Sequence, residues 1–227
     1  MHLAILMTNT DETPFADKHP RDGEKFQTLL HEVRPTWTFE VFSVKDGIFP
    51  DNISRFDGFV ITGSPASVRD GDLWIDQLAK VIHTIIAQRK PMYGACFGHQ
   101  AIAAALGAKI DDNPDGWVLG TVETTLADNS ARHLIYGAHK EQVTTLPHGA
   151  KVIAKTPGCP IAGFAIDNHV LTTQYHPEMK DEFIAALIEE MEEDLPAETI
   201  HAARASLDRP ADRVTAAQQI VGFFEGQ

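Results

Sequence analysis

The stretch PMYGACFGHQ, residues 91–100, decides how the chain is read. An apolar run (Ile85, Ile86, then Pro91, Met92, Tyr93) ends in Gly94-Ala95-Cys96-Phe97-Gly98, and the helix-like run from Gln100 to Leu106 follows. A strand that turns into a helix at G-x-C-x-G predicts a nucleophile elbow. The central residue sits on a strained bend with its side chain projecting outward, and the flanking glycines leave room for the backbone. The N–H groups that open the helix then point at Cys96 and form half of an anion pocket. A cysteine at a strand end can equally be a buried core residue, so this stretch alone does not separate chemistry from packing.

A second stretch does. Val170 to Tyr175 reads as a strand ending in His176-Pro177-Glu178. Two residues apart in an extended segment, His176 and Glu178 leave the same face, and Pro177 stops the strand from continuing. The carboxylate can orient the imidazole, and the imidazole can serve a thiol brought from elsewhere: nucleophile, base and orienter in cysteine form.

Around these stretches, strands alternate with helices. Leu3–Met7 is apolar throughout, as a strand buried on both faces should be. A helix is expected over about 24–33, ended by Arg34-Pro35, then strands at 39–44 and 59–61, a turn-rich segment at 62–67, and a helix over 74–88. This order predicts an α/β fold: a three-layer, flavodoxin-like sandwich with a mostly parallel central sheet. After Lys109 the pattern changes to shorter strands (118–126, 151–154, 161–166), which suggests antiparallel additions at the sheet edge before 170–175 rejoins the core. A helix over 180–191 follows, with an acidic end (Glu189-Glu190, Glu192-Glu193-Asp194) read as a solvated face. The division expected is a domain over 1–195 and a helical extension over 196–227, whose apolar Ile220, Val221, Phe223 and Phe224 require packing on the domain or a subunit contact, such as a homodimer.

Composition narrows the classes. At 227 residues, 43% hydrophobic and 22% charged, the chain suits one large globular domain. A net charge of −13 argues against nucleic acid or an anionic membrane as partner. Two cysteines, Cys96 and Cys159, make no disulfide framework and suggest a reducing compartment. The N-terminal apolar run is too short for a signal peptide and lacks a charged start, so the cytoplasm is expected. No spacing supports a metal site, and no glycine-rich loop cradles a nucleotide, so no cofactor is expected.

In an open α/β sheet the ligand site lies beyond the carboxyl ends of the strands. The 62–67 turn, Cys96 and His176 all follow strands and can meet there. Backbone N–H groups of Gly63, Ser64 and Phe97 are the natural oxyanion hole. The chemistry is acyl transfer: Cys96 attacks a carbonyl, His176 protonates a leaving amine, and water hydrolyses the thioester.

Gly94-Ala95-Cys96-Phe97-Gly98-His99-Gln100 together with His176-Pro177-Glu178 resembles the class I glutamine amidotransferase family, over about residues 40–190. The resemblance implies release of ammonia from glutamine through a γ-glutamyl thioester, with Cys96 as nucleophile, His176 as base and acid, Glu178 as orienter, and Gln100 in the glutamine pocket. It also gives His139, expected in a loop, a place on the substrate side. Where many members carry paired glycines this chain has Gly63-Ser64-Pro65, so Ser64 would supply one oxyanion donor. Members usually feed ammonia to a synthetase, and no synthetase domain is present in this chain, which implies a separate synthetase subunit. Gly116-Trp117 and His139-Lys140-Glu141-Gln142-Val143 are also similar to stand-alone plant γ-glutamyl peptidases, which hydrolyse γ-glutamyl bonds in glutathione-type compounds. A binding or regulatory protein that keeps the fold without turnover is the third reading. His99 is expected to pack within its helix, and Cys159 to lie incidentally in a loop.

Overall fold

The structure is a computed structural model describing residues 1–128 and 130–226; Gln227, the last residue of the expected extension, lies outside that range. In chain order the strands are β1 (His2–Met7), β2 (Thr38–Ser43), β3 (Gly58–Ile61), β4 (Met92–Ala95), β5 (Ile110–Asp112), β6 (Val118–Leu126), β7 (Arg132–His139), β8 (Glu141–Val143), β9 (Lys151–Thr156), β10 (Cys159–Ile166) and β11 (Val170–Thr173). The helices are α1 (Asp22–His31), α2 (Leu73–Ala87), α3 (Phe97–Ala105), α4 (Asp181–Glu190), α5 (Ala197–Ser206) and α6 (Arg213–Phe224).

One sheet runs in the order β2-β1-β3-β4-β11-β10-β9-β6-β7. Its first five strands are parallel and follow the flavodoxin-like order, and the rest extend it antiparallel from β11. The parallel core reads as continuous apolar sequence because helices cover both faces. Ile61, Leu78, Ile82, Ile85, Phe97 and Ile102 pack on one side, and Ile5, Phe26, Leu29, Val60 and Tyr93 on the other. No helix among the described residues is long and apolar enough to cross a membrane.

Strand β7 and the short β5–β8 ladder, absent from the sequence reading, fill 110–112 and 132–143. His139 is therefore the last residue of β7 rather than a loop residue. Strand β11 stops at Thr173, and His176-Pro177-Glu178 forms a turn docked by an isolated bridge from His176 to Tyr136; that pairing cannot run on past His176, since Pro177 has no N–H to donate. Cys159 opens β10 and is fully buried; burial pushes its thiol up to about 11. The acidic end after α4 is not solvent-facing alone. Arg204 of α5 donates to Glu189 at 2.8 and 2.7 Å and pairs with Glu192 at 2.9 Å.

The C-terminal helices lie on the same body. Ile200 and Ala203 of α5 pack with Ile184 and Ile188. Ala217, Ile220, Val221 and Phe224 of α6 pack with α1 and the β1–β3 face. Phe224 sits so tightly over β3 that a Cβ on Gly58 would come within 2.6 Å of its ring.

Candidate active site

Cys96 lies between β4 and α3 with φ 48° and ψ −107°, a strained conformation for a residue with a side chain. The two glycines of the motif make the bend sterically feasible. A Cβ on Gly94 would come within 2.7 Å of the Gly98 backbone, and one on Gly98 would strike the Ile61 carbonyl. The bend is pinned by Cys96 N–H donating to Thr173 at 2.9 Å and Gly98 N–H donating to Thr62 at 3.1 Å. It is thus held by both strands flanking β4. Phe97, next in line, opens α3 and stacks on Trp74 at 5.4 Å.

His176 reaches this bend from the far side of β11. Its Nδ1 lies 2.7 Å from Glu178 Oε1, and both residues are buried. A carboxylate can only accept, so Nδ1 carries a proton, and it is at Nε2 that the ring gains or loses its second one. Nε2 has no hydrogen-bond partner. Burial disfavours the imidazolium, but interactions with Cys96 and Glu178 outweigh it and hold His176 well above the usual imidazole range. The turn around Pro177 thus brings the two side chains together, though not by the extended geometry expected from spacing.

The loop leaving β3 closes the third side. A Cβ on Gly63 would come within 2.8 Å of His176 Cε1 and 3.6 Å of Cys96 Cβ, so the Gly63 backbone runs directly against both. Thr8, at the end of β1, anchors this loop: its hydroxyl donates to Gly63 at 3.0 Å, and its N–H donates to Thr62 Oγ1 at 3.0 Å. Ser64 Oγ accepts from Ala66 N–H at 3.2 Å.

Gln100 and His139 converge on one acceptor. Gln100 Nε2 donates to the Glu141 carbonyl at 2.8 Å, and His139 Nδ1 lies 3.1 Å from the same oxygen. Burial lowers His139 to about 4, with His176 adding to the effect and the bond to Glu141 opposing it. The Glu141 carboxylate takes Ser67 Oγ at 2.7 Å and Arg69 Nη2 at 2.5 Å, tying the loop after Gly63 to β8. Arg69 also binds Asp112. Arg69 and Gln174 carry no sequence signal for this place, and Glu141 was legible only as part of the segment His139-Lys140-Glu141-Gln142-Val143. Gln174 Nε2 lies 3.7 Å from Cys96 Sγ, but a glutamine on the way out of a strand carries no pattern that announces it.

The expected groups are nearly closed over: Cys96 and His176 are each 5% exposed. A polar cleft of about 190 Å³ lies beyond β1 and β2, and a groove of about 830 Å³ crosses the sheet beside α6; neither is lined by Cys96 or His176. Among the described residues, no group of three His, Cys, Asp or Glu side chains is arranged to hold a metal.

With this geometry in view, comparison with known proteins is informative. The family model "Glutamine amidotransferase class-I" matches residues 27–184. The chain belongs to that family. As a class I glutamine amidotransferase family member it is similar to gamma-glutamyl peptidase 3 of Arabidopsis thaliana, 31% identical over 72% of this chain and 71% of the relative. It is 30% identical to the glutamine-hydrolyzing GMP synthase of Aeropyrum pernix over 56% of this chain, but only 25% of that protein. In three dimensions it resembles a glutamine amidotransferase of Thermotoga maritima with a TM-score of 0.76 and 18% identity, covering 99% of this chain and 95% of the other. That likeness establishes the fold.

Proposed function

We propose that this family member hydrolyses a γ-glutamyl amide through a thioester on Cys96. The observation that carries the reading is a cysteine on a strained bend beside an imidazole whose other nitrogen is held 2.7 Å from a buried carboxylate. Cys96 attacks the side-chain carbonyl of the substrate as its proton passes to His176 Nε2. Backbone N–H groups of Gly63, Ser64 and Phe97 receive the oxyanion. The tetrahedral intermediate collapses, the C–N bond breaks, and His176 returns the proton to the leaving amine. Water, deprotonated by the same imidazole, then cleaves the thioester to release glutamate and restore the thiol. Glu178 holds the tautomer throughout. Gln100 and His139 line the glutamyl side. A reducing cytoplasm is part of this reading, since the chemistry needs a free thiol.

With glutamine as substrate the product is ammonia, which a separate synthetase subunit would consume; the likeness of this chain to a quarter of a GMP synthase supports such a division. A second reading, hydrolysis of larger γ-glutamyl compounds, is favoured by the coverage of gamma-glutamyl peptidase 3, which matches this chain over most of both lengths. The two share every step up to the identity of the leaving amine. A substrate panel of glutamine and γ-glutamyl dipeptides, scored for glutamate release against Cys96→Ala as blank, tests both. Release from glutamine with ammonia supports the first, and amine release from dipeptides supports the second. Turnover unaffected by Cys96→Ala, or no turnover and no labelling of Cys96 by a glutamine-like electrophile, overturns the reading in favour of a binding protein.

A further inference from the structure

We propose that Gln174 is a positioning residue for the nucleophile, its side-chain amide holding the Cys96 sulfur and favouring the thiolate. This rests on Cys96 acting as the nucleophile. Gln174 follows β11, is fully buried, and is fixed by its own N–H donating to the Ala162 carbonyl at 2.8 Å. Its Nε2 is 3.7 Å from Cys96 Sγ, a normal separation for an N–H donor to sulfur.

The orientation of the amide follows from its partners. The Glu141 carbonyl can only accept, so Gln100 must turn Nε2 toward it, and does so at 2.8 Å. The second hydrogen of that nitrogen is directed to Gln174 at 3.2 Å and requires an acceptor, so Gln174 presents Oε1 there. Nε2 of Gln174 is left for the sulfur. A backbone carbonyl of β8 thus sets the polarity of a two-amide relay that ends on the nucleophile.

Two forms of Cys96 are then distinguished. A thiol can donate toward the Ala138 carbonyl, 4.0 Å away, whereas a thiolate has no proton to give and gains from the Gln174 N–H. A donor to an anion is stronger than one to a neutral group, so Gln174 acts chiefly on the charged form. His176 takes the proton, and Gln174 steadies what remains.

The test measures the alkylation rate of Cys96 by iodoacetamide against pH, with glutamate release from the substrate panel in parallel. Gln174→Met removes the donor at similar length, and Gln174→Glu places an anion there. We expect the alkylation midpoint to rise by about one pH unit in Gln174→Met and further in Gln174→Glu, with kcat reduced about tenfold or more and KM little changed. A midpoint unmoved in folded Gln174→Met, or a loss confined to KM, overturns the proposal. Should both variants fail to fold, the unmodified protein decides. The Gln174 side-chain amide resonances should titrate with the alkylation midpoint, and resonances that ignore it overturn the proposal. Failure of the catalytic reading would look different: the unmodified protein would neither turn over nor show Cys96 labelling.

Discussion

A methyl group added at Gly63 would land 2.8 Å from His176 Cε1, closer than carbon atoms approach without something moving. The imidazole is pinned through Nδ1, so Gly63→Ala should rotate or push it by a fraction of an ångström. We expect kcat to fall about a hundredfold, since misplacement on that scale is costly in catalysis, with the melting temperature little changed. Unaltered glutamate release by Gly63→Ala would show that the imidazole does not act from where it rests. Glu178→Gln keeps the shape but removes one of the charges that raise His176. Turnover should drop by about two to four orders of magnitude, and the imidazole should titrate at lower pH by NMR. That Cys96, His176 and Glu178 would come together was legible in the sequence because each belongs to a short local pattern of reactive residue types. The place of Gln174 was not, because its contact with Cys96 exists only once β11 pairs with β4.

At the scale of elements, β7 and β11 each bring a wall of the site, and the buried histidines record that packing. His99 of α3 lies 2.8 Å from Thr172 Oγ1 of β11. Burial lowers it to about 3, helped by His139, and His139 itself lies at about 4. Unfolded imidazoles titrate near ~6.5, so acid protonates the unfolded chain first. The stability from these neutral histidines is complete above that value and is lost as pH falls toward their folded values. The slope reaches about 1.4 kcal/mol per pH unit for each. His176 has the opposite sign: its contribution is present at low pH and is lost as pH rises through its raised folded value. Urea midpoints between neutral pH and about pH 4.5 should fall steeply, and His99→Gln should flatten the curve; an equal slope in both proteins would count against neutral burial of His99. The parallel strands were readable because apolar runs buried on both faces leave little ambiguity. Strand β7 was not. Its residues alternate irregularly between exposed and buried, as a strand does at the edge of a sheet and partly under helices, and Gly137 further weakens the pattern.

Over the whole molecule, α6 belongs to the core despite coming last. Phe224 closes over Gly58 and meets Trp37 edge-on at 6.1 Å, so Phe224→Ala should cost about 3–5 kcal/mol. The solvent-facing Arg34–Glu225 pair beside it, at 2.7 Å, is screened by water, so its loss should cost far less than that of the phenylalanine. Chemical denaturation of Phe224→Ala and Glu225→Gln compares the two directly. A small effect for the phenylalanine would mean that α6 is a detachable appendage. The apolar residues of the tail called for burial, on the domain or at a subunit contact, but the strand that α6 covers was not legible, because that depends on the crossing of chain segments far apart in sequence.

The position of β11 has a consequence for biosynthesis. It sits between β4 and β10 yet begins 75 residues after β4 ends (170 − 95), so it is made well after the strand it pairs with. Until then β4 is a bare sheet edge, and Cys96 has neither Thr173 to pin it nor His176 nearby. A nascent or truncated chain therefore carries the sulfur without its neighbours, and the late arrival of one four-residue strand completes the surroundings of Cys96 and seals the sheet in the same folding step.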